Sequence, residues 1–100
     1  MLFKKKFLDL IEKGAVRIAF RRWTRASVTE HGTLLTPVGQ LRITSLKLID
    51  YADISDDEIS QAGYKDRKEL DKELAFKDVG DIYKIAFDLE RADPRMELRT

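Results

Sequence analysis

Apolar residues near the start of the chain recur at the spacing of an amphipathic helix. They are Phe3, Phe7, Leu10 and Ile11, with charged residues between them. This spacing predicts a helix that packs one stripe on the core. Gly14 follows the stripe and suits the C′ position, where helices commonly end.

Residues 15–23 alternate instead, which predicts a strand. One face, expected to point into the core, would carry Val16, Ile18 and Phe20. The other face, expected to point outward, would carry Arg17, Ala19, Arg21 and Trp23. The sequence therefore predicts a first strand with one apolar and one cationic face.

A hairpin is predicted after a polar loop over residues 24–32. Residues 33–36 and 40–49 are strand-like, and the turn residues Pro37-Val38-Gly39 separate them.

Two capped helices are predicted next. Ser55-Asp56-Asp57-Glu58 is a capping box, and Ile54 with Ile59 has the spacing of a hydrophobic staple. Asp66-Arg67-Lys68-Glu69 repeats the box and would open a helix through Leu70 and Leu74.

Residues 82–90 alternate again and predict a half-buried strand, with Tyr83, Ile85, Phe87 and Leu89 on one side. Asp93-Pro94 would end it, and Met96 and Leu98 could form a last short edge strand. The predicted order is α, β, β, β, α, α, β, β. We expect one α+β domain over residues 1–100, with a mostly antiparallel, barrel-like sheet and about three helices.

The composition narrows the function classes. The chain has no cysteine, which excludes disulfides and thiolate chemistry and fits a reducing compartment, so we expect a cytoplasmic protein. Asp9 and Glu12 interrupt the apolar N-terminal run, unlike a signal peptide, and no segment has the length and apolarity of a membrane span. One histidine and scattered carboxylates lack metal-ligand spacing, so no metal or cofactor is expected.

The charge is divided unevenly along the chain. Residues 1–47 hold ten Lys/Arg against three Asp/Glu, whereas residues 48–100 hold nine against fifteen. Two interpretations are open: the halves attract each other in the fold, or the first half forms a basic face for a polyanion.

Several segments in order resemble the ASCH domain, a member of the PUA-like fold class. They are residues 7–14 leading into a strand that ends in Arg21, the hairpin around Gly39, Gln61-Ala62-Gly63-Tyr64 before a capped helix, and Tyr83-Lys84-Ile85-Ala86-Phe87. The resemblance covers nearly the whole chain. It implies a PUA-like β-barrel, a cleft beside the first helix and strand, and a role in RNA binding or RNA-related chemistry.

The resemblance also bears on catalysis. The family pattern Gly-x-Lys-x-x-Glu-x-Arg is matched at Gly14 and Arg21, but Val16 stands at its lysine position and Ala19 at its Glu or Thr position. Arg17 replaces the Thr of the Lys-Thr pair found in members that resemble acetylcytidine amidohydrolases. Neither Val16 nor Arg17 offers an amine of tunable pKa, so we do not expect that activity.

The strongest candidate site is a group of basic and aromatic residues on and just after the first strand. Its members are Arg17, Arg21, Arg22, Trp23 and Arg25. Guanidinium groups suit phosphates, and an indole can stack on a base. The alternative is that Trp23 fills the core while the arginines pair with Asp50, Asp53 or the acidic helices.

The remaining candidates have structural explanations. Lys4, Lys5 and Lys6 could extend the basic face or serve solubility, and His31 lacks a nucleophile and an orienting partner. Asp56, Asp57, Asp66 and Glu69 are explained by capping, while Tyr64 and Tyr83 are expected in the core. Thr36 and Ser45 could line the cleft.

Three functions remain open. The first is a non-catalytic module that binds RNA or a nucleotide. The second is a small hydrolase or ribonuclease in which Arg21 stabilises an oxyanion and an acidic residue from the 50s or 60s is the base. The third is a binder of a nucleotide or modified nucleoside. A carboxylate within reach of Arg21 would favour chemistry, and an open basic face past Trp23 would favour binding.

Overall fold

Three α-helices and four strands follow one another in the predicted order in a computed structural model, which describes residues 1–76 and 79–91. The elements are α1 Lys5–Glu12, β1 Ile18–Trp23, β2 Thr33–Thr36, β3 Gly39–Ile49, α2 Asp56–Gln61, α3 Arg67–Leu74 and β4 Asp81–Arg91, with a short 3₁₀ turn at Tyr51–Asp53. The predicted strand around Met96 and Leu98 lies outside the described residues. Within them, no helix combines the length and apolar character that a membrane span needs.

The strands form one curled antiparallel sheet in the order β1-β4-β3-β2, an α+β fold with a half-barrel sheet. β4 pairs with β1 on one side, for example Ala19 with Ile85, and with β3 on the other. Irregular register in β3, between Ile43 and Ser45, fits the curl, because a bulge increases local twist. The fold class predicted from the sequence is confirmed.

Local signals in the sequence produced the expected caps and turns. Gly14 ends α1 with a φ of 78°, a conformation that favours glycine. Ser55 Oγ accepts from the Glu58 N–H at 3.1 Å, and Glu58 Oε1 accepts from the Ser55 N–H at 3.2 Å, which completes the capping box. Asp66 accepts from the Glu69 N–H at 3.0 Å, but the Glu69 carboxylate pairs with Lys6, so the second box is only half formed.

Apolar side chains pack on both faces of the sheet. One cluster lies between the sheet and the helices and includes Phe20, Ile59, Leu70 and Ile82. The other lies inside the curl and includes Ile11, Val16, Ala19, Trp23 and Phe87. The sheet is thus covered on both sides around β1 and β4.

The prediction that β1 has one exposed cationic face is therefore wrong. Ala19 and Trp23 are buried inside the curl, and Val16, predicted to point with Phe20, lies before the strand and packs in the opposite cluster. Alternation predicts which residues share a face, but the curl of the sheet decides whether that face is covered.

Ion pairs join the basic and acidic halves of the chain. Lys6 pairs with Glu69, Arg17 with Asp88, Arg21 with Glu73 and Arg42 with Glu90. Attraction between the halves is therefore confirmed for these residues.

Candidate functional site

A cavity of about 560 Å³ lies where the start of the chain, the end of β1 and the end of α3 meet. We call it the cleft. Four of the five predicted site residues line it, namely Arg21, Arg22, Trp23 and Arg25. The remaining wall is formed by residues 1–4, Ser27, Glu73 and Phe76. The sequence thus predicted the residues that β1 and the loop after it place in the cleft, but not Glu73 of α3 or Phe76 after it.

Arg17, the fifth predicted residue, lies apart from the cleft. It precedes β1, at the opposite end of the strand from Trp23. Its Nη1 is 3.1 Å from Asp88 Oδ1 on β4, and its side chain is about half exposed. The structure therefore separates Arg17 from the other four.

Arg21 was predicted to point outward, and this is wrong, because its side chain is only 13% exposed. Its Nη1 lies 3.1 Å from Glu73 Oε1 and donates to the Phe20 carbonyl at 2.8 Å. Its Nη2 donates to the Leu2 carbonyl at 3.1 Å, and the guanidinium lies 5.2 Å from the centre of the Phe3 ring. Because β1 is an edge strand, this long side chain can reach α3, where Glu73 compensates its charge.

Tyr64 lies near the ion pair of Arg21 and Glu73 and is buried. Burial raises the pKa of Tyr64 to about 12, with nearby Arg21 acting in the opposite direction. Its ring packs edge-on against Phe7, with 5.2 Å between ring centres. Tyr64 therefore remains a neutral hydroxyl beside Arg21 and Glu73, a core position as the sequence predicts.

Arg22, Arg25 and Lys4 make the cleft cationic. Arg22 donates through Nε to the Leu74 carbonyl and through Nη1 to the Gly80 carbonyl, each at 3.2 Å, so its partners are neutral. Arg25 is exposed. Within residues 1–76 and 79–91, no carboxylate forms an ion pair with Lys4, Arg22 or Arg25. Glu73 is the one carboxylate among the described residues that line the cleft.

Exposed apolar side chains also line the cleft. Phe76 is 80% exposed and Leu2 is 90% exposed. Lys4 Nζ lies 5.9 Å from the centre of the Phe76 ring, a cation–π distance. A ring this accessible, next to cationic side chains, is a surface on which a flat aromatic ligand can stack.

Trp23 contributes to the core as well as to the cleft. It is only 7% exposed, and its ring packs on Tyr83 with 5.5 Å between ring centres. Glycine is required behind it, because a Cβ at Gly80 would come within 2.5 Å of the Trp23 backbone. The alternative expectation, that Trp23 fills the core at the end of the strand, is thus met, and stacking by Trp23 stays a prediction.

A smaller cavity of about 150 Å³ adjoins the cleft. It shares Lys4 and Glu73 with the cleft and adds Lys6, Phe7, Tyr64, Glu69 and Lys72. Lys6 and Glu69 pair across it.

The other candidates lie away from the cleft. His31 is 80% exposed and lies 3.7 Å from Glu30. Thr36 holds the hairpin turn, since its Oγ1 donates to the Gly39 carbonyl at 2.7 Å. Lys5 faces Asp9 at 3.7 Å, and Ser45 lies in β3. In the part of the chain that the structure describes, no three His, Asp or Glu side chains gather as metal ligands do.

No protein-family model matches this chain, and the searches of curated proteins and of solved structures found no match. The resemblance to the ASCH domain therefore stays a prediction.

Sequence reasoning missed Glu73 and Phe76, although one signal was present. Leu70, Glu73 and Leu74 have the i, i+3, i+4 spacing of a single helix face, which places a carboxylate beside the buried stripe of α3. A carboxylate from the 50s or 60s was expected near Arg21, whereas the one that pairs with it is Glu73, farther along the chain. Phe76 comes after the last residue of α3, and the sequence alone does not tell toward which side of the helix its ring points.

Proposed function

We propose that the protein binds single-stranded RNA or a free nucleotide in the cleft without transforming it. The observation that carries this proposal is the meeting of three cationic side chains with an exposed aromatic ring in one cavity. The cations are Lys4, Arg22 and Arg25, and the ring is Phe76.

The size and chemistry of the cleft suit such a ligand. Small-ligand sites commonly measure about 300 to 1,000 Å³ and combine apolar walls with a few polar groups. The cleft, at about 560 Å³, falls within this range. Phe76 and Leu2 supply apolar surface for a base, and the cations supply attraction for a phosphate.

The cations that line the cleft favour binding along a phosphate backbone. Lysine and arginine side chains release counterions when they contact phosphates, so the affinity falls as salt rises. If Lys4, Arg22 and Arg25 each contact a phosphate, the log-log slope of affinity against salt should be roughly −2, from about −0.7 per contact on a single strand.

The fluorescence of Trp23 provides the assay, because it is the only tryptophan of the chain and lies in the cleft wall. Short single-stranded RNA and nucleoside monophosphates are titrated into the protein at several salt concentrations. We expect saturable quenching by both ligands and, for the RNA, the slope given above. A parent protein that shows no salt-dependent binding at low ionic strength would contradict the proposal.

Two variants distinguish the cleft from the rest of the basic surface. Arg25→Ala removes a cation that lines the cleft and should reduce the slope by a little under one unit. Arg17→Ala removes the same charge outside the cleft, where Asp88 is its partner, and should leave the slope unchanged. Equal effects of the two variants would indicate general attraction to a basic protein instead of a site.

A hydrolase is the second candidate, because Glu73 lies 3.1 Å from Arg21 and could act as a base beside an oxyanion-binding group. RNA and acetylated cytidine are incubated with the protein and recovered. We expect both to be recovered unchanged, since Val16 and Ala19 stand where the resembling enzymes have a lysine and a Glu or Thr. Turnover that disappears in Glu73→Gln would make the hydrolase the leading function.

A further inference from the structure

Glu73 is a carboxylate in a cleft whose other described charged side chains are all cations. Its side chain is 15% exposed, and Oε1 lies 3.1 Å from Nη1 of Arg21. Neutralising Arg21 explains its presence in the fold. It also places a negative charge where an anionic ligand would enter, and this has consequences for what the cleft can hold.

A carboxylate repels phosphate and accepts hydrogen bonds from N–H groups. A ligand that fits beside Glu73 must therefore present donors to it and keep its phosphate toward Arg25 and Lys4. A ligand that presents only acceptors would place its oxygens against the Glu73 carboxylate without donating a hydrogen bond to it, which is unfavourable.

Arg21 adds a donor next to these acceptors. A guanidinium has five N–H groups, and Arg21 directs them to the Phe20 carbonyl, the Leu2 carbonyl and Glu73. These three partners do not use all five N–H groups of the guanidinium, so at least one can donate to a ligand. The wall thus offers one donor beside the two oxygens of a carboxylate.

Guanine has the complementary edge. Its O6 accepts, and the neighbouring N1–H and N2–H₂ groups donate side by side. Adenine and cytosine present one amino group, and uracil presents one ring N–H, so none of them offers adjacent donors to both oxygens of a carboxylate. The two adjacent N–H donors of guanine can each bind one oxygen of a carboxylate, which makes this pairing specific.

We propose that Glu73 makes the cleft selective for guanine, with Arg21 donating to O6 and Phe76 stacking on the base. This inference rests on the proposed function, because it assigns a ligand to the same cleft. Glu73 is here a specificity-determining residue that contacts the base.

The test compares guanosine, inosine, adenosine, cytidine and uridine 5′-monophosphates by quenching of Trp23 fluorescence. Inosine monophosphate is the sharpest probe, because it differs from the guanosine compound only by lacking the N2 amino group. We expect guanosine monophosphate to bind about tenfold more tightly than each of the others, as hydrogen bonds to charged groups imply.

Glu73→Gln should remove the preference for guanine over inosine, since an amide offers one acceptor and one donor in place of two acceptors. Glu69→Gln is the matched control, because it makes the same change one turn earlier in α3, outside the cleft. This control should keep the preference. Circular dichroism and thermal unfolding confirm that both variants fold.

The outcomes separate the two proposals. If neither a nucleotide nor short single-stranded RNA binds the parent protein, the proposed function itself is rejected. If nucleotides bind with equal affinity, or if Glu73→Gln keeps the preference, binding stands and the role of Glu73 is rejected. Should Glu73→Gln fail to fold, the ratio of guanosine to inosine monophosphate affinities in the parent decides the question alone.

Discussion

Alkaline titration of Tyr64 tests how the core beside the cleft is packed. Burial raises the pKa of Tyr64 to about 12 from its ordinary value of 10.0. A phenol whose pKa is higher in the folded than in the unfolded chain stabilises the fold fully below pH 10. This contribution is lost as the pH rises from 10 toward 12, because the unfolded chain releases the proton first.

The magnitude follows from the size of the shift. One pKa unit corresponds to about 1.4 kcal/mol, so a shift of about two units corresponds to roughly 2 to 3 kcal/mol of unfolding free energy. Tyr64 is 5% exposed, so solvent screens this contribution little. The loss is expected to be spread over the interval between the two pKa values.

Two measurements check this prediction. Ultraviolet absorbance of tyrosinate should show a titration step near pH 12 in the parent, and Tyr64→Phe should remove that step. Denaturant unfolding at pH 9 and 11 should show a smaller alkaline loss of stability for Tyr64→Phe than for the parent. A parent protein that shows no tyrosinate step near pH 12 would contradict the buried position assigned to Tyr64.

Two further predictions separate residues that support the fold from residues that face the ligand. Phe76→Ala should weaken nucleotide binding by about 1 to 3 kcal/mol with little change in stability, because residue Phe76 is 80% exposed. Trp23→Ala should instead lower the free energy of unfolding by about 3 to 5 kcal/mol, because Trp23 is buried. Binding titrations and denaturant midpoints check both, and equal stability losses would contradict the assignment. Phe20→Ala should lower the free energy of unfolding by about 3 to 5 kcal/mol, since Phe20 is fully buried. Arg22→Ala should lower it by about 1 to 2 kcal/mol, because two hydrogen bonds to carbonyls are lost. A larger loss for Arg22→Ala in chemical denaturation would show that these bonds matter more than the core.

The elements of this fold could be predicted where the signal is local. The Ser55 capping box, the turn between β2 and β3 and the glycine after α1 depend on neighbouring residues alone. The box and the glycine lie where the sequence predicts, and the turn is one residue shorter than predicted, because Gly39 begins β3 and pairs with Thr36. The grouping of Arg21, Arg22, Trp23 and Arg25 was also predictable, because they are close in sequence.

The errors arose where distant segments decide the outcome. Alternation in β1 is correct, but the curl of the sheet buries Trp23 on the face predicted to be exposed. Arg21 is mostly covered because α3 brings Glu73 to the edge of the sheet, and this contact could not be predicted because the two residues are far apart in sequence. The wall of the cleft that α3 supplies could not be predicted, since it depends on how a helix docks.

The central position of β4 has a consequence for how the chain folds. Ile18 in β1 pairs with Ala86 in β4, and β3 also pairs with β4. The sheet therefore joins an early segment of the chain to a late one. Such non-local pairing slows folding, because a long loop must close before the contacts that stabilise it form. During synthesis, β1 has no strand partner until β4 has emerged, and Phe20, which β1 carries, cannot be fully buried before then. A chain cut before Asp81 would lack the strand that joins β1 to the rest of the sheet.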